Sequence, residues 1–257
     1  MARRSRKTPT VVLATAVVLA ISTAGAAAAP VQQPTAREVI DRHIEAVGGR
    51  AAIESHSSSH ASGTIEIVGQ GLFGEIDIWG AAPDKMLVAV DFPDLGVQSR
   101  TGYDGEVGWS VDPMTGERLL AGGELQQIVD EADYYGDLHA ADKFSEMENL
   151  GEVDFDERVA YKLRLVYLSG REVFEYFDIE TGRMIGVEGA QESIMGSMNV
   201  VTTLGEYQQF GDVMVPTLTV QQFGPLQTVR VTIQEVELDS VDPAVFDLPP
   251  AIQTLIR

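Results

Sequence analysis

From Ala61 onward the apolar residues of this chain recur at every second position, and the runs are cut by short turn signals. Ile65 and Ile67, then Ile76 and Ile78, then Met86, Val88, Val90 and Phe92 alternate with other residues, with Gly69-Gln70-Gly71 and Ala82-Pro83-Asp84 between the runs. This is the signature of antiparallel strands joined by tight turns. Further runs near 97–103 and 106–112 are joined at Asp104-Gly105, and the second ends at Asp112-Pro113-Met114-Thr115-Gly116. Others follow at 147–155, 158–168, 171–179, 183–189, 196–209, 212–223 and 226–238. In the last, the apolar parity shifts between Ile233 and Val236, which predicts a bulge near Gln234–Glu235. Pro216 cannot donate to a ladder, so it belongs at an edge or a bulge. About a dozen strands are too many to stay flat, and the sheet must curl.

Two helical patterns interrupt the alternation. Thr35 with Glu38 reads as a capping box, Val39, Ile40, Ile44 and Val47 fall at helical spacing, and Gly48-Gly49 supplies the stop. A short helical turn through Ala51–Ile53 follows. Residues 122–135 form the second amphipathic helix, with Leu125, Ile128, Val129, Ala132 and Tyr135 as an apolar stripe. Gly122-Gly123 and Gly136 bracket it, so it is expected to move as a lid over the inner face of the curled sheet. Residues 136–146 read as a connecting loop with room for one helical turn. The fold class is therefore mostly β: an unclosed, strongly curved antiparallel sheet with an N-terminal helix and a mid-chain helical lid.

The first stretch reads as an address. Arg3, Arg4, Arg6 and Lys7 precede an apolar run from Val11 to Ile21 and the small residues Ala24–Ala29. Residues 1–28 are expected to be a cleaved export signal recognised at Ala26 and Ala28, leaving 29–257 as one domain. The apolar run is too short for a comfortable span; an uncleaved anchor is the alternative. Cleavage removes four basic residues and no acidic one, leaving 14 basic against 39 acidic residues and a net charge of −25. Such a chain repels phosphate backbones, which excludes nucleic acid as a partner. The absence of cysteine excludes disulfides, thiolate metal sites and the lipid-acceptor residue of a bacterial lipoprotein.

Little in the sequence points to catalysis. There is no Gly-x-Ser-x-Gly elbow, P-loop or calcium-loop pattern. His56-x-x-x-His60 has metal-ligand spacing only on a helix, and Ser57-Ser58-Ser59 disfavours one, so both read as solvated loop histidines. His43 and His139 read as structural. Glu146, Glu148, Glu152, Asp154, Asp156 and Glu157 read as a solvated face. No cofactor or metal is expected, and no enzymatic role.

In their order and spacing, several short motifs are similar to a known family. They are Ala46-Val47-Gly48-Gly49, Ala82-Pro83-Asp84-Lys85, Tyr103-Asp104-Gly105 with Gly108-Trp109, Asp112 to Gly116, Tyr176-Phe177-Asp178 with Glu180-Thr181-Gly182, Val215-Pro216-Thr217, and a tail with Asp242-Pro243, Phe246 and Leu248-Pro249. Together they resemble the periplasmic lipoprotein-sorting carriers of the LolA type and their LppX-like lipid-binding relatives. The resemblance implies an unclosed barrel whose apolar concave face holds acyl chains of lipids or lipoproteins, with envelope membrane proteins as further partners and a periplasmic or otherwise extracytoplasmic location. Those carriers have an arginine where this chain has Ala82, which sets lipid binding ahead of lipoprotein sorting. An envelope interaction or sensor module built on the same half-barrel is the alternative. The residues expected to line the cavity or its lid are Trp79, Val88, Val90, Phe92, Trp109, Leu125, Ile128, Val129, Ala132, Tyr135, Leu163, Leu165 and Met198. On this reading cargo is selected by apolar area and chain length, with little dependence on headgroup.

Overall fold

A computed structural model describes residues 33–194 and 196–256. The expected export signal and the expected mature start at Ala29 lie outside the described residues. Helix α1 (Ala36–Ala46) begins at the Thr35–Glu38 capping box, in which the Thr35 hydroxyl accepts from the Glu38 amide and the Glu38 carboxylate accepts from Thr35 N at 2.7 Å. A short α2 (Arg50–Glu54) leads into the sheet.

Thirteen strands then follow: β1 (Ser58–Ile67), β2 (Leu72–Ala81), β3 (Lys85–Phe92), β4 (Val97–Tyr103), β5 (Gly108–Asp112), β6 (Gly116–Leu119), β7 (Phe144–Phe155), β8 (Arg158–Tyr167), β9 (Glu172–Asp178), β10 (Met184–Ser193), β11 (Gly196–Phe210), β12 (Val213–Phe223) and β13 (Gln227–Leu238). Helices α3 (Gly122–Ala132) and α4 (Ala140–Lys143) sit between β6 and β7, and α5 (Pro250–Leu255) closes the chain. Among the described residues no helix is long and apolar enough to cross a membrane.

The strands form one antiparallel sheet in the order β6-β5-β4-β3-β2-β1-β13-β12-β11-β10-β9-β8-β7. It is unclosed. Two meanders, β1–β6 and β7–β13, are fused where β1 pairs with β13. The register across that seam shifts between Ser62↔Glu235 and Gly63↔Ile233, which leaves Gln234 as the extra residue of the bulge expected from the sequence. Pro216 pairs with β11 at Tyr207, while the β12–β13 ladder starts only at Leu218. Proline thus sits where β12 has a free edge, and its missing N–H costs no ladder bond.

Side chains directly opposite one another in an antiparallel pair share a face, so the registers define two faces around the whole sheet. One carries Ser110, Thr101, Val88, Ile78 and Ala61 on β5 to β1, and Val229, Gln221, Thr202, Val187, Glu175 and Leu163 on β13 to β8. Both α1 and α3 pack on this inner face. Val39, Ile40 and Ile44 of α1 meet Leu163, Leu165, Val173 and Phe177. On the opposite, outer face Leu87 and Trp109 are covered by Phe246 and Ile252 of the C-terminal tail.

Strand β6 is absent from the sequence reading because four residues after a turn are too few to show alternation. Strand β5 starts at Gly108, two residues later than expected, since Asp104 Oδ1 accepts from the Glu106 and Val107 amides and holds them in a turn. The two edge strands are poor templates for pairing. β6 is short, and β7 carries exposed Glu146, Glu148, Glu152 and Asp154 and is interrupted at Gly151, whose φ is +100°.

The seam tolerates no side chain at Gly63, where a Cβ would lie 2.1 Å from Thr232 O. Gly63→Ala is expected to destabilise the protein by ~2 kcal/mol or more, read as a lower denaturation midpoint in urea. An equivalent substitution at Gly69, which has open space around it, tests only its positive φ and should cost less.

Candidate functional site: the inner face and its strap

Because β6 and β7 lie at opposite edges of the sheet, the chain between them has to cross its open side. That crossing segment is α3. Leu125, Ile128, Val129 and Ala132 pack with Met86, Tyr103 and Leu120 on the β3–β5 end of the inner face. Gly108 makes the approach possible: a Cβ there would lie 2.7 Å from Leu125 Cδ1. The expected stripe is thus a packed contact, with Ile128 and Ala132 buried. The helix also ends earlier than the sequence suggested. Asp133 turns extended and its carboxylate accepts from Tyr135 N, so Tyr135 leaves α3, packs beside α1 and donates its hydroxyl to His56 O at 2.8 Å.

Two arginines clasp this strap from opposite halves of the sheet. Arg118 of β6 donates both terminal nitrogens to the Glu124 carboxylate, each at 2.8 Å. Arg171, before β9, donates to Asp130 at 3.1 Å and lies 3.7 Å from Glu131. Ser169 also donates to Asp130, and Gln127 accepts from Glu192 N. Arg118 Nε and Arg171 Nη2 are the two buried side-chain nitrogens without a partner among the described residues. Both clasps therefore hold α3 while leaving one donor unpaired, which makes each costlier than a fully satisfied pair.

The inner face divides into contrasting halves. On β13, β1, β2 and β3, Ile65, Ile76, Val229, Val231 and Ile233 form an apolar patch joined by Ile78, Val88, Val90 and Phe92. Between that end and α3 lies a cavity of about 310 Å³ lined by Met86, Val88, Thr101, Arg118, Ile128 and Glu131, among others. Near α2, a second cavity of about 290 Å³ is lined by Ile53, Ala61, Val215, Val236 and Leu238 together with Tyr134 and Asp137. On the β9–β12 side the inner face mixes apolar and polar residues, and a smaller cavity of about 130 Å³ there is lined by Gln127, Glu131, Arg171, Gln191, Thr202 and Gln221 together with Val173, Val187, Gly189, Ala190 and Val200.

The residues expected to line the site separate accordingly. Val88, Val90 and Phe92 lie on the apolar inner wall. Leu163 and Leu165 share the inner face but are 0% exposed beneath α1. Met198 stands opposite Gln191 near the end of the β10–β11 hairpin and is 37% exposed. Trp79 and Trp109 are corrected to the outer face: Trp79 pairs with Leu87 and Trp109 with Gly102, and both belong to the cluster under the C-terminal tail. Alternation separates two faces without saying which one a distant tail will cover.

The histidines are also more structured than expected. His56 is held between Asp239 at 2.6 Å and Asp212 at 2.7 Å, and these hydrogen bonds, the Asp239 one first, raise its pKa. It ties the α2–β1 junction to the β11–β12 turn and the end of β13. Asp239, which also accepts from Ser57 N, is lowered to about 2. His60 lies in β1, bonded to Asp77 at 2.7 Å and stacked on Trp79. His43 is buried and accepts from Met184 N. Among the described residues no group of three or more histidines and carboxylates is arranged to hold a metal. Gly69-Gln70-Gly71-Leu72-Phe73-Gly74 has the glycine spacing of a dinucleotide fingerprint, yet it forms the β1–β2 hairpin with no helix after it and so lacks the phosphate-binding terminus.

Glu175 is the unexpected group of the inner face. It stands between Leu163 and Val187, and burial, reinforced by the charge of Asp137, pushes its pKa up to about 8. The folded protein holds this carboxyl protonated at pH values where the unfolded chain ionises it, so the associated stability is present below about pH 4.5 and is lost as pH rises to about 8. Burial raises Glu131 too, and His56 has the same sign. Glu175→Gln is expected to flatten the fall in melting temperature between pH 5 and pH 8, stabilising the protein at the upper end; an unchanged slope would contradict the burial of this group.

No family model matches the sequence, and neither does any curated protein. The likeness lies in the fold. A LolA superfamily protein from Nitrosomonas europaea superposes with a TM-score of 0.57 at 12% identity, covering 84% of this chain and 99% of that one. A DUF1329 family protein from Desulfovibrio piger gives 0.58 at 12% identity over 84% of this chain and 98% of that one. A domain named for outer membrane lipoprotein sorting, from Vibrio parahaemolyticus, gives 0.54 at 12% identity over 82% and 95%. With its 13-stranded unclosed sheet and helices on the concave face, the chain has a LolA-like fold.

Proposed function

We propose that this protein is an exported carrier that shelters the acyl part of an amphiphile against its inner face during transit. The observation that carries the reading is the apolar wall of β13, β1, β2 and β3, where Val88, Val90, Phe92 and Ile78 are only half-buried and no described helix packs on the Ile65–Val231 patch. Contiguous apolar surface of this kind beside cavities of about 300 Å³ is what a hydrophobic ligand site requires. Each methylene moved from water to that wall yields ~0.8 kcal/mol. A chain of about ten methylenes therefore offsets much of an association cost of roughly 4–15 kcal/mol.

The charge and the first 28 residues support an extracytoplasmic setting for a single mature domain, residues 29–257. The LolA-like neighbours support a carrier over an enzyme. Ala82, where LolA-type carriers have arginine, favours free lipid over lipoprotein as cargo.

The test is titration with the uncharged fluorophore N-phenyl-1-naphthylamine. Saturable binding is expected, and Val90→Asn should weaken it about tenfold by placing an amide in the apolar wall, while the cooperative thermal transition is retained. No saturable binding by the wild type would contradict the carrier and favour an envelope interaction module.

A further inference from the structure

The lid expected from the sequence presents apolar residues to the ligand, which leaves the headgroup no role. The structure arranges α3 otherwise. Its apolar stripe is spent on Met86, Tyr103 and Leu120, and the residues it turns towards the β9–β12 half of the inner face are Gln127 and Glu131, one turn apart. Facing them, the inner row runs Glu175, Val187, Thr202, Gln221 and Val229 across five neighbouring strands, and Gln191 stands two inward positions further along β10, beyond Gly189. Gln191, Thr202 and Gln221 are half-buried and none of their polar atoms is among the buried unpaired ones, so water reaches them, and a ligand that displaces it must itself donate and accept. Gln191, Thr202 and Gln221 make no side-chain hydrogen bond among the described residues.

Their charge state narrows what could pair with them. Arg171 is the cation of this wall, and it is already engaged by Asp130 and Glu131 and stacked on Tyr167 at 4.2 Å. Arg118, at the other end of α3, is engaged by Glu124. A phosphate or carboxylate entering here would give up its water beside Glu131, and Arg171, although its Nη2 is unpartnered, carries a charge already balanced by Asp130 and Glu131. Besides that one guanidinium N–H, the free groups are the amides of Gln191 and Gln221 and the hydroxyl of Thr202, which both donate and accept. The row ends at Val229 and Ile67, where the apolar wall begins.

Resting on the carrier reading, we propose that the β9–β12 half of the inner face is a headgroup subsite, formed by Gln191, Thr202 and Gln221 opposite Gln127 and Glu131, that selects amphiphiles with an uncharged, hydroxyl-bearing headgroup of the acylglycerol kind. The acyl chain lies along β13 to β3 and the hydroxyls meet the amides. Glu175, held largely protonated at neutral pH by a pKa of about 8, adds little negative charge to this half. Selection by headgroup replaces the sequence-based expectation that chain length alone decides binding.

The experiment compares ligands with one oleoyl chain and different heads in displacing N-phenyl-1-naphthylamine from the purified protein at pH 7. Monooleoylglycerol is expected to displace at about tenfold lower concentration than oleate or oleoyl lysophosphatidic acid. Gln191→Leu with Gln221→Leu should erase that preference by weakening monooleoylglycerol, while the fluorophore still binds saturably; Thr202→Val, nearly isosteric, should reduce it in part. Glu131→Gln, which leaves Arg171 with one carboxylate partner, should strengthen oleate. Equal displacement by all three ligands, a preference for the anions, or a preference that survives the double substitution overturns the subsite and leaves the carrier standing. Absence of any saturable fluorophore binding overturns both.

Discussion

The pairing of β1 with β13 is the constraint on which the rest depends. It fuses a β1–β6 meander to a β7–β13 meander and places the two free edges, β6 and β7, at the far ends of one sheet. Because these edges are consecutive in the chain, residues 120–143 have no route except across the open side. The inner position of α3 thus follows from topology before any side chain is considered. Gln234 and Gly63 make the seam possible: the bulge returns Val236 to the inner side after Ile233, and glycine admits the close approach of Thr232.

The strap is held by opposed charges more than by its own helix. Arg118 and Arg171 come from opposite halves of the sheet, and each meets α3 carboxylates. Side-chain exposures of 14% for Arg171 and 10% for Asp130 make that pair only weakly screened, so breaking it leaves a largely buried charge. The unpartnered nitrogen on each arginine limits what each clasp contributes. A strap of this construction closes the inner face without a continuous apolar seal, which is consistent with a ligand that is greasy at one end and polar at the other.

Much of the fold was legible because strands and caps are local. Alternation located twelve of the strands, the parity slip at Val236 revealed the bulge, and Thr35-x-x-Glu38 announced α1. The site was legible only in part. Val88, Val90 and Phe92 were read onto the wall they occupy, whereas Trp79 and Trp109 were read onto the wrong face, since residues 241–252, which cover them, are distant in sequence. Leu125 and Ile128 were recognised as apolar, but amphipathicity assigns a helix one greasy and one wet side. It does not foresee that the wet side, Gln127 and Glu131, turns towards half-buried polar groups of the sheet. That row had its own signal: Thr202 and Gln221 stand at inward positions next to the apolar Val200 and Phe223 of the same strands. The His56 clamp joins residues 156 and 183 positions away, beyond any spacing argument.

The account stands or falls on whether the inner face holds an amphiphile in the native protein. The most direct measurement is mass spectrometry of the protein purified from its own host without detergent, intact first and after solvent extraction. The account predicts a stoichiometric adduct released as a lipid with at least one acyl chain and an uncharged headgroup. A protein that is empty as isolated, and that acquires no adduct when incubated with a total lipid extract of that host, would contradict it.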